Sequence, residues 1–365
     1  MAGPNEDVRP VAPQPITGAE GVSELLASRF SAFAGRGMRE VDRLMRKSIE
    51  DNCAVFATLS GAMTPAGIGT SCIVPMIDAG AISCLTTTGA NLYHDVHRLL
   101  GCVIHEIDPN AGDLALREDR VIRIYDLGFG EETLLETDRF FAHIVKRPEF
   151  QRSMTTPEFH HELGRHVAAL EDEMGNPYPT VLGACFRHGV PIFSGAVQDG
   201  SIFLNMVRLQ RVDPTFALRM DVGRDVYQMG ALQHWCRKAR GGDCAIWIFG
   251  GGVPKNYTLQ GEPLLEQILG VPARGFDIDV QVCVDVVDNG ALSSCTAGEG
   301  HTWGKTSAEC VQKTSVYLRT DVSVALPFLV ASLLAGPTSR RAPLRLMDHL
   351  AEAEALLDAD LPAES

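Results

Sequence analysis

None of the ten cysteines forms a Cys-x-x-Cys pair, which removes the usual structural-zinc and dithiol redox spacings. Cys53, Cys72, Cys84, Cys102, Cys185, Cys236, Cys244, Cys283, Cys295 and Cys310 are scattered, several inside apolar runs such as residues 244–249. They read as small buried hydrophobes of a reduced protein, with no metal expected. Positive charge is also short: 32 Lys and Arg stand against 46 Asp and Glu, a formal net charge of −14. A nucleic-acid partner calls for a basic stripe and is not expected. Small cationic substrates remain open, since an acidic protein attracts them. No apolar run reaches the roughly 18 residues that cross a bilayer. The chain does not open with a charged segment followed by an apolar one, so neither a membrane span nor a leader is expected, and the expected compartment is the cytoplasm. A Gly-x-Gly-x-x-Gly run behind the first strand is missing too; Gly61…Gly67 and Gly128-Phe-Gly130 fit it poorly.

What is present is alternation. The 365 residues, 45% hydrophobic and 21% charged, suffice for a large core. Six apolar runs read as strands: residues 52–60, 81–88, 190–195, 244–249, 276–287 and 315–320. Helical patterns separate most of them, including 158–174 and 225–240, and one follows the last strand over 321–334. Strands alternating with helices imply βαβ units and a parallel sheet. The prediction is a single large α/β domain over residues 21–335. A Pro-rich polar tail of residues 1–20, expected to be disordered, precedes it, and a loop with an amphipathic helix follows over 336–365. Four of the strands end in Gly, Ser or Thr clusters. In an open parallel sheet ligands bind at the carboxyl ends of the strands, where glycine lets backbone amides approach phosphate. Several strand-end loops could together hold a dinucleotide, although Gly250-Gly-Gly252 alone suits a flexible turn as well.

The segment Gly298-Glu-Gly-His-Thr-Trp-Gly-Lys305 places a lysine two residues behind a tryptophan and six behind a glutamate. A lysine partly desolvated against an aromatic wall has its ammonium form disfavoured, and the free amine is a nucleophile that makes imines. The same residues also suit an exposed lysine snorkelling beside a tryptophan. Two histidine clusters look like metal sites and fail. His160-His161-Glu162-Leu-Gly-Arg-His166 is spaced His-Glu-x-x-x-His, one residue too long for both histidines to share a helix face; these are expected to be exposed. Tyr93-His94-Asp95 with His97 lacks a third ligand.

Six segments, in order from about residue 54 to 334, resemble the deoxyhypusine synthase family and its prokaryotic relatives, including homospermidine synthases. They are Gly61-Ala-Met-Thr-Pro-Ala-Gly67, Thr87-Thr-Gly-Ala-Asn-Leu-Tyr-His-Asp95, Phe193-Ser with Asp199-Gly-Ser201, and Gly250-Gly-Gly-Val-Pro-Lys255. Asn289-Gly290 with Glu299, Trp303 and Lys305, and the helix 321–334, complete the set. The resemblance implies a Rossmann-like fold, a homotetramer of two tight dimers, and NAD bound at active sites on the dimer interface. It implies that NAD takes a hydride from a polyamine, that Lys305 attacks the resulting imine and carries a 4-aminobutyl group, and that an acceptor amine takes the group as the hydride returns. Glu299 and Trp303 match the family's acid and aromatic wall at the substrate amine. Gly61, Thr87, Thr88, Gly89, Asp199, Gly251, Gly252, Asn289, Gly290 and Asp321 match cofactor-contacting positions, and His94 falls where eukaryotic members carry a glutamate near the cofactor ribose. Asn256, Leu204, Leu292 and Ser293 fall at substrate-contacting positions.

Three departures stand out. Asn256 replaces a histidine, and Leu204 and Leu292 replace aspartates that hold a substrate ammonium in eukaryotic enzymes. Losing two charge-assisted contacts removes roughly 1.5–3 kcal/mol each. Asn205, Asp285 or Asp288 could fill the role. The expected function is an NAD-dependent aminobutyl transferase acting on small polyamines, with putrescine or agmatine as acceptor and a homospermidine-type product. The alternatives are modification of a lysine on translation initiation factor 5A, and a non-catalytic NAD-binding relative.

Overall fold

The computed structural model describes residues 11–336 and 340–363; residues 1–10 of the expected tail lie outside the described residues. Eleven strands occur among them: β1 Ala54–Leu59, β2 Cys84–Thr87, β3 His105–Glu106, β4 Val121–Ile124, β5 Leu127–Gly130, β6 Ser153–Met154, β7 Ile192–Phe193, β8 Arg219–Met220, β9 Cys244–Phe249, β10 Ile278–Cys283 and β11 Ser315–Arg319. Six of them, β11-β10-β9-β1-β2-β7, form the main sheet, and every pairing in it is parallel. These are the six runs marked as strands in the sequence. Their order is that of a doubly wound dinucleotide-binding fold, with the chain reversing direction across the sheet between β1 and β9.

Strands β1, β9 and β10 are buried at every position, as expected of parallel strands covered on both faces. Alternation sends Val55, Ala57, Leu59, Trp247 and Val280 into one cluster with Leu44, Met45 and Leu329. Ala54, Phe56, Ile246 and Ile248 enter the other, with Leu232, Trp235, Leu350 and Leu357. The last two belong to the carboxyl-terminal helix Leu350–Asp360, which lies on the helix Val222–Lys238. The sequence did not mark the three-stranded sheet β3-β5-β4 or the parallel pair β6-β8. Their strands are two to four residues long, too short to show a period.

The histidine cluster on the helix Thr156–Met174 needs correcting. His160 is buried and donates from Nδ1 to the Ile192 carbonyl at 2.8 Å. His161 packs on Phe186 with ring centroids 4.9 Å apart, and His166 meets Glu149 at 2.8 Å. The helix packs on the helix Val181–His188 and on β7, so this face turns inward. No group of three or more His, Cys, Asp or Glu able to hold a metal occurs among the described residues. All ten cysteines are free thiols, eight of them buried, and no described helix is long and apolar enough to cross a membrane.

Candidate active site

The carboxyl ends of the central strands meet around one cavity of about 320 Å³, lined by Ser60, Gly61, Thr87, Thr88, Gly89, Ser194, Asp199, Gly251, Gly252, Asp285 and Ser293 among others. Its walls are tied together before any ligand arrives. Ser60 Oγ accepts from the Gly251 amide at 3.1 Å and also bonds the Gly251 carbonyl, joining the β1 and β9 loops. Thr87 and Thr88 donate their hydroxyls to the Leu59 and Gly61 carbonyls at 3.0 and 2.6 Å. Asn91 Oδ1 accepts from the Met63 amide at 2.7 Å and its Nδ2 donates to Thr87 Oγ1 at 3.0 Å. The threonine hydroxyls are thus committed to the loops, and Asp199 and Asp285 are the charged residues of the lining.

Two glycines let the loops come this close. A Cβ on Gly89 would lie 2.6 Å from the Gly200 Cα, and one on Gly251 would overlap the Ser293 carbonyl oxygen. A backbone-lined cradle at the topological switch point, with the helix Gly252–Leu259 starting in it, fits the phosphates and ribose of a dinucleotide. Gly61, Thr87, Thr88, Gly89, Asp199, Gly251 and Gly252 would hold it.

A larger cavity of about 780 Å³ adjoins this one and shares Gly252 and Val253 with it. It gathers Lys255, Asn256, Tyr257, Leu292, Cys295, Glu299, Trp303 and Lys305, with Val226, Met229 and Leu259 also lining it. Lys305 follows the short helix Ala297–His301, whose first turn Thr296 caps by accepting from the Glu299 amide. Lys305 Nζ donates to Asn256 Oδ1 at 3.0 Å and lies 5.8 Å from the Trp303 ring centroid. Burial lowers the Lys305 pKa, and the nearby Lys255 charge pushes the same way, against Cys295 and Glu299.

Lys255 is the residue sequence reading passed over. It is 3% exposed, and its ammonium donates to Gln281 Oε1 and the Cys295 carbonyl, each at 2.7 Å. Gln281 Nε2 in turn holds the Gly250 and Ser293 carbonyls at 2.9 and 2.6 Å. The signal was present: Asp279 and Gln281 are polar residues two apart in an otherwise apolar strand, so both face one side. Replacing Lys255 with methionine is expected to leave Lys305 more basic. The pH dependence of reductive aldehyde labelling at Lys305 should move to higher pH; a profile unchanged or moved to lower pH refutes the coupling.

Five expected site residues lie elsewhere. Asp321 caps the helix Val322–Ala335, accepting from the Ser323 amide at 2.8 Å. Asn289 Oδ1 accepts from the Ala291 amide in its own turn at 3.0 Å, and Gly290 is exposed next to it; none of the three lines either cavity. His94 is turned toward His97 by a 2.7 Å contact and lines a separate groove. Leu204 faces that groove from the helix Ser201–Val212, so the two leucines of the departures do not share a pocket. Ser293 borders the cofactor cavity, and Leu292 and Asn256 border the lysine pocket.

The profile of the deoxyhypusine synthase family matches residues 25–333. A deoxyhypusine synthase-like protein of Thermosynechococcus vestitus is 37% identical over 328 residues, 89% of this chain and 81% of its own. A namesake in Nostoc punctiforme is 38% identical over 325 residues, 89% and 82% of the two chains. An archaeal relative assigned as a deoxyhypusine synthase, from Methanosarcina acetivorans, is 33% identical over 314 residues, 86% of each chain. Among solved structures, an Entamoeba histolytica chain assigned as a deoxyhypusine synthase superposes with a TM-score of 0.58 at 12% identity, covering 91% of this chain and 99% of its own; that likeness speaks for the fold. With the profile spanning most of the sequence and these relatives matched over more than four fifths of their length, the chain belongs to the deoxyhypusine synthase family of NAD-dependent transferases.

Proposed function

We infer that the chain moves a 4-aminobutyl group from a polyamine to a small amine such as putrescine or agmatine, giving a homospermidine-type product. The observation that carries the chemistry is Lys305, half-buried, with its pKa lowered and a second, fully buried lysine behind it. NAD, when bound, accepts the hydride that turns the donor's amine into an imine and later returns it. Lys305 Nζ gives one hydrogen to Asn256 Oδ1, which leaves the lone pair of the neutral amine free to attack the imine carbon. The amine-bearing remainder of the donor leaves as a free amine, and the aminobutylidene group stays on Lys305 as an imine. The acceptor amine displaces Lys305 from that carbon. Glu299 supplies the one carboxylate of the pocket lining for a substrate ammonium, and Trp303 in the same lining offers it an aromatic face.

Small acceptors are favoured because the leucines sit where protein-modifying relatives carry aspartates. A buried ammonium without a carboxylate is costly. Modification of a lysine on translation initiation factor 5A is the second reading. Kinetics with putrescine, agmatine and the factor decide between them: kcat/KM is expected to be higher for a small amine, and a higher value for the factor reverses the ranking. Leu292→Asp should shift donor preference toward spermidine by roughly tenfold or more, the scale of one charge-assisted contact. No shift would mean that Leu292 does not touch the amine.

A homotetramer of two tight dimers belongs to the same reading. Leu204, Leu292 and Trp303 are 60%, 57% and 64% exposed in one protomer, more apolar surface than a finished amine pocket would leave to water.

A further inference from the structure

Asp225 lies in the first turn of the helix Val222–Lys238. It is 2% exposed and lines neither of the two cavities. Three neutral donors converge on its carboxylate. Oδ1 accepts from the Thr156 amide at 2.6 Å and from the Thr156 hydroxyl at 2.7 Å. Oδ2 accepts from the Tyr257 hydroxyl at 2.7 Å. Burial raises its pKa to about 6, and these hydrogen bonds work the other way. A buried carboxylate held by neutral donors is costly to keep, so its place calls for a reason beyond packing.

Each donor leads to a cavity wall. The Thr156 hydroxyl, its hydrogen given to Asp225, accepts from the Ser194 amide at 3.1 Å. Ser194 follows β7 and borders the dinucleotide cradle, and the next residue, Gly195, borders the lysine pocket. Tyr257 stands in the wall of the lysine pocket, beside Val226 and Met229 of the helix that carries Asp225. A Cβ on Gly195 would lie 2.8 Å from Tyr257 Cβ and Cγ, and the Phe193 and Tyr257 ring centroids are 6.1 Å apart. Tyr257 therefore rests on the end of β7, and one carboxylate pins both.

We propose that Asp225 is a positioning residue for both ligands: through Thr156 it holds the Ser194 end of β7 in the dinucleotide cradle, and through Tyr257 it holds one wall of the lysine pocket. The amine half of the proposal rests on the amine-transfer reading; the dinucleotide half does not. A carboxylate suits the place because all three neighbours donate and neither oxygen carries a hydrogen to compete with them. The two ties leave from different groups, so they can be cut separately.

Fluorescence titration with NAD, and calorimetric titration of the NAD-loaded full chain with putrescine, read the two ties. Tyr257→Phe keeps the ring and cuts one of them. Putrescine is expected to weaken about fivefold or more, the scale of one orphaned hydrogen-bond partner, with NAD within about twofold of the parent. Thr156→Val cuts the other, and the pattern should invert: NAD about fivefold or more weaker, putrescine at saturating NAD within about twofold. Asp225→Ala should weaken both. Asp225→Asn should recover most of the NAD affinity, because its carbonyl oxygen can accept from both Thr156 groups while its amide donates to the phenol oxygen. Losses that strike both ligands alike in Tyr257→Phe and in Thr156→Val, and follow the fall in melting temperature, would leave Asp225 a structural role only and overturn the proposal. Parent-like affinities in Asp225→Ala overturn it as well. Should Asp225→Ala fail to fold, the two single-tie variants, which retain the carboxylate, decide. NAD affinity that follows Thr156 in a protein that binds no putrescine would remove the amine reading and keep the tie to the cradle. Putrescine turnover with NAD affinity indifferent to Thr156 and Asp225 would do the reverse.

Discussion

Lys305→Ala is expected to abolish the borohydride-trappable adduct that forms with NAD and spermidine. The parent protein should gain an aminobutyl mass on the peptide carrying Lys305, and the variant should gain none. Its kcat should fall by roughly 10⁴-fold or more, the scale seen when a covalent nucleophile is removed. Folding should hardly change, because Nζ has one hydrogen-bond partner, Asn256 Oδ1, and the side chain is half-buried. Trapping that persists in the variant would assign the imine to another amine of the pocket. Lys255 is the obvious rival, but its ammonium is fixed by two acceptors at 2.7 Å and is not free to attack.

The second large effect is expected at Gly251. This residue is buried, and its φ of −175° is not by itself what requires glycine there. Space is. A Cβ would overlap the Ser293 carbonyl oxygen, which is itself held by Gln281 Nε2. Gly251→Val therefore has to move either the β9 loop or the β10 loop, and both border the cofactor cavity. Overpacking of this kind costs about 1–3 kcal/mol, and if it falls on the liganded geometry the NAD dissociation constant should rise by roughly 10- to 100-fold. Fluorescence titration with NAD measures it, and thermal unfolding of the same variant separates misfolding from lost binding. Affinity within about twofold of the parent would place the dinucleotide elsewhere.

The main sheet was legible in the sequence because its strands are continuous apolar runs ended by Gly, Ser and Thr, a pattern set by burial on both faces. Strand order was not read: Ala54–Leu59 pairs with both Cys84–Thr87 and Cys244–Phe249, and nothing local marks that crossing. At the site, the strand-end glycines and Lys305 stood out from residue type and spacing. Lys255 and Asn91 did not, because each acts by filling hydrogen bonds across chain separations of 26 to 40 and 27 to 32 residues. The histidines misled in a related way. His160 was read as exposed from a failed metal spacing, whereas packing against β7 decided its burial. His94 was assigned to the cofactor by its place in a motif, yet its bond to His97 turns it to another groove. Spacing tells which residues share an element's face; it does not tell what that face meets.

Gly252 and Val253 form part of the wall of both cavities, and one amide, that of Gln281, grips the loops behind them together with Lys255. Ligands on opposite sides of this shared partition are expected to be coupled. Whatever factor a bound amine applies to the affinity for the dinucleotide, the dinucleotide must apply to the affinity for the amine. The partition is short and braced at both ends, so a displacement on one side has little room to dissipate before it reaches the other. Amine affinities measured on the empty protein and on the NAD-loaded protein are therefore two separate constants, and the loaded one governs turnover.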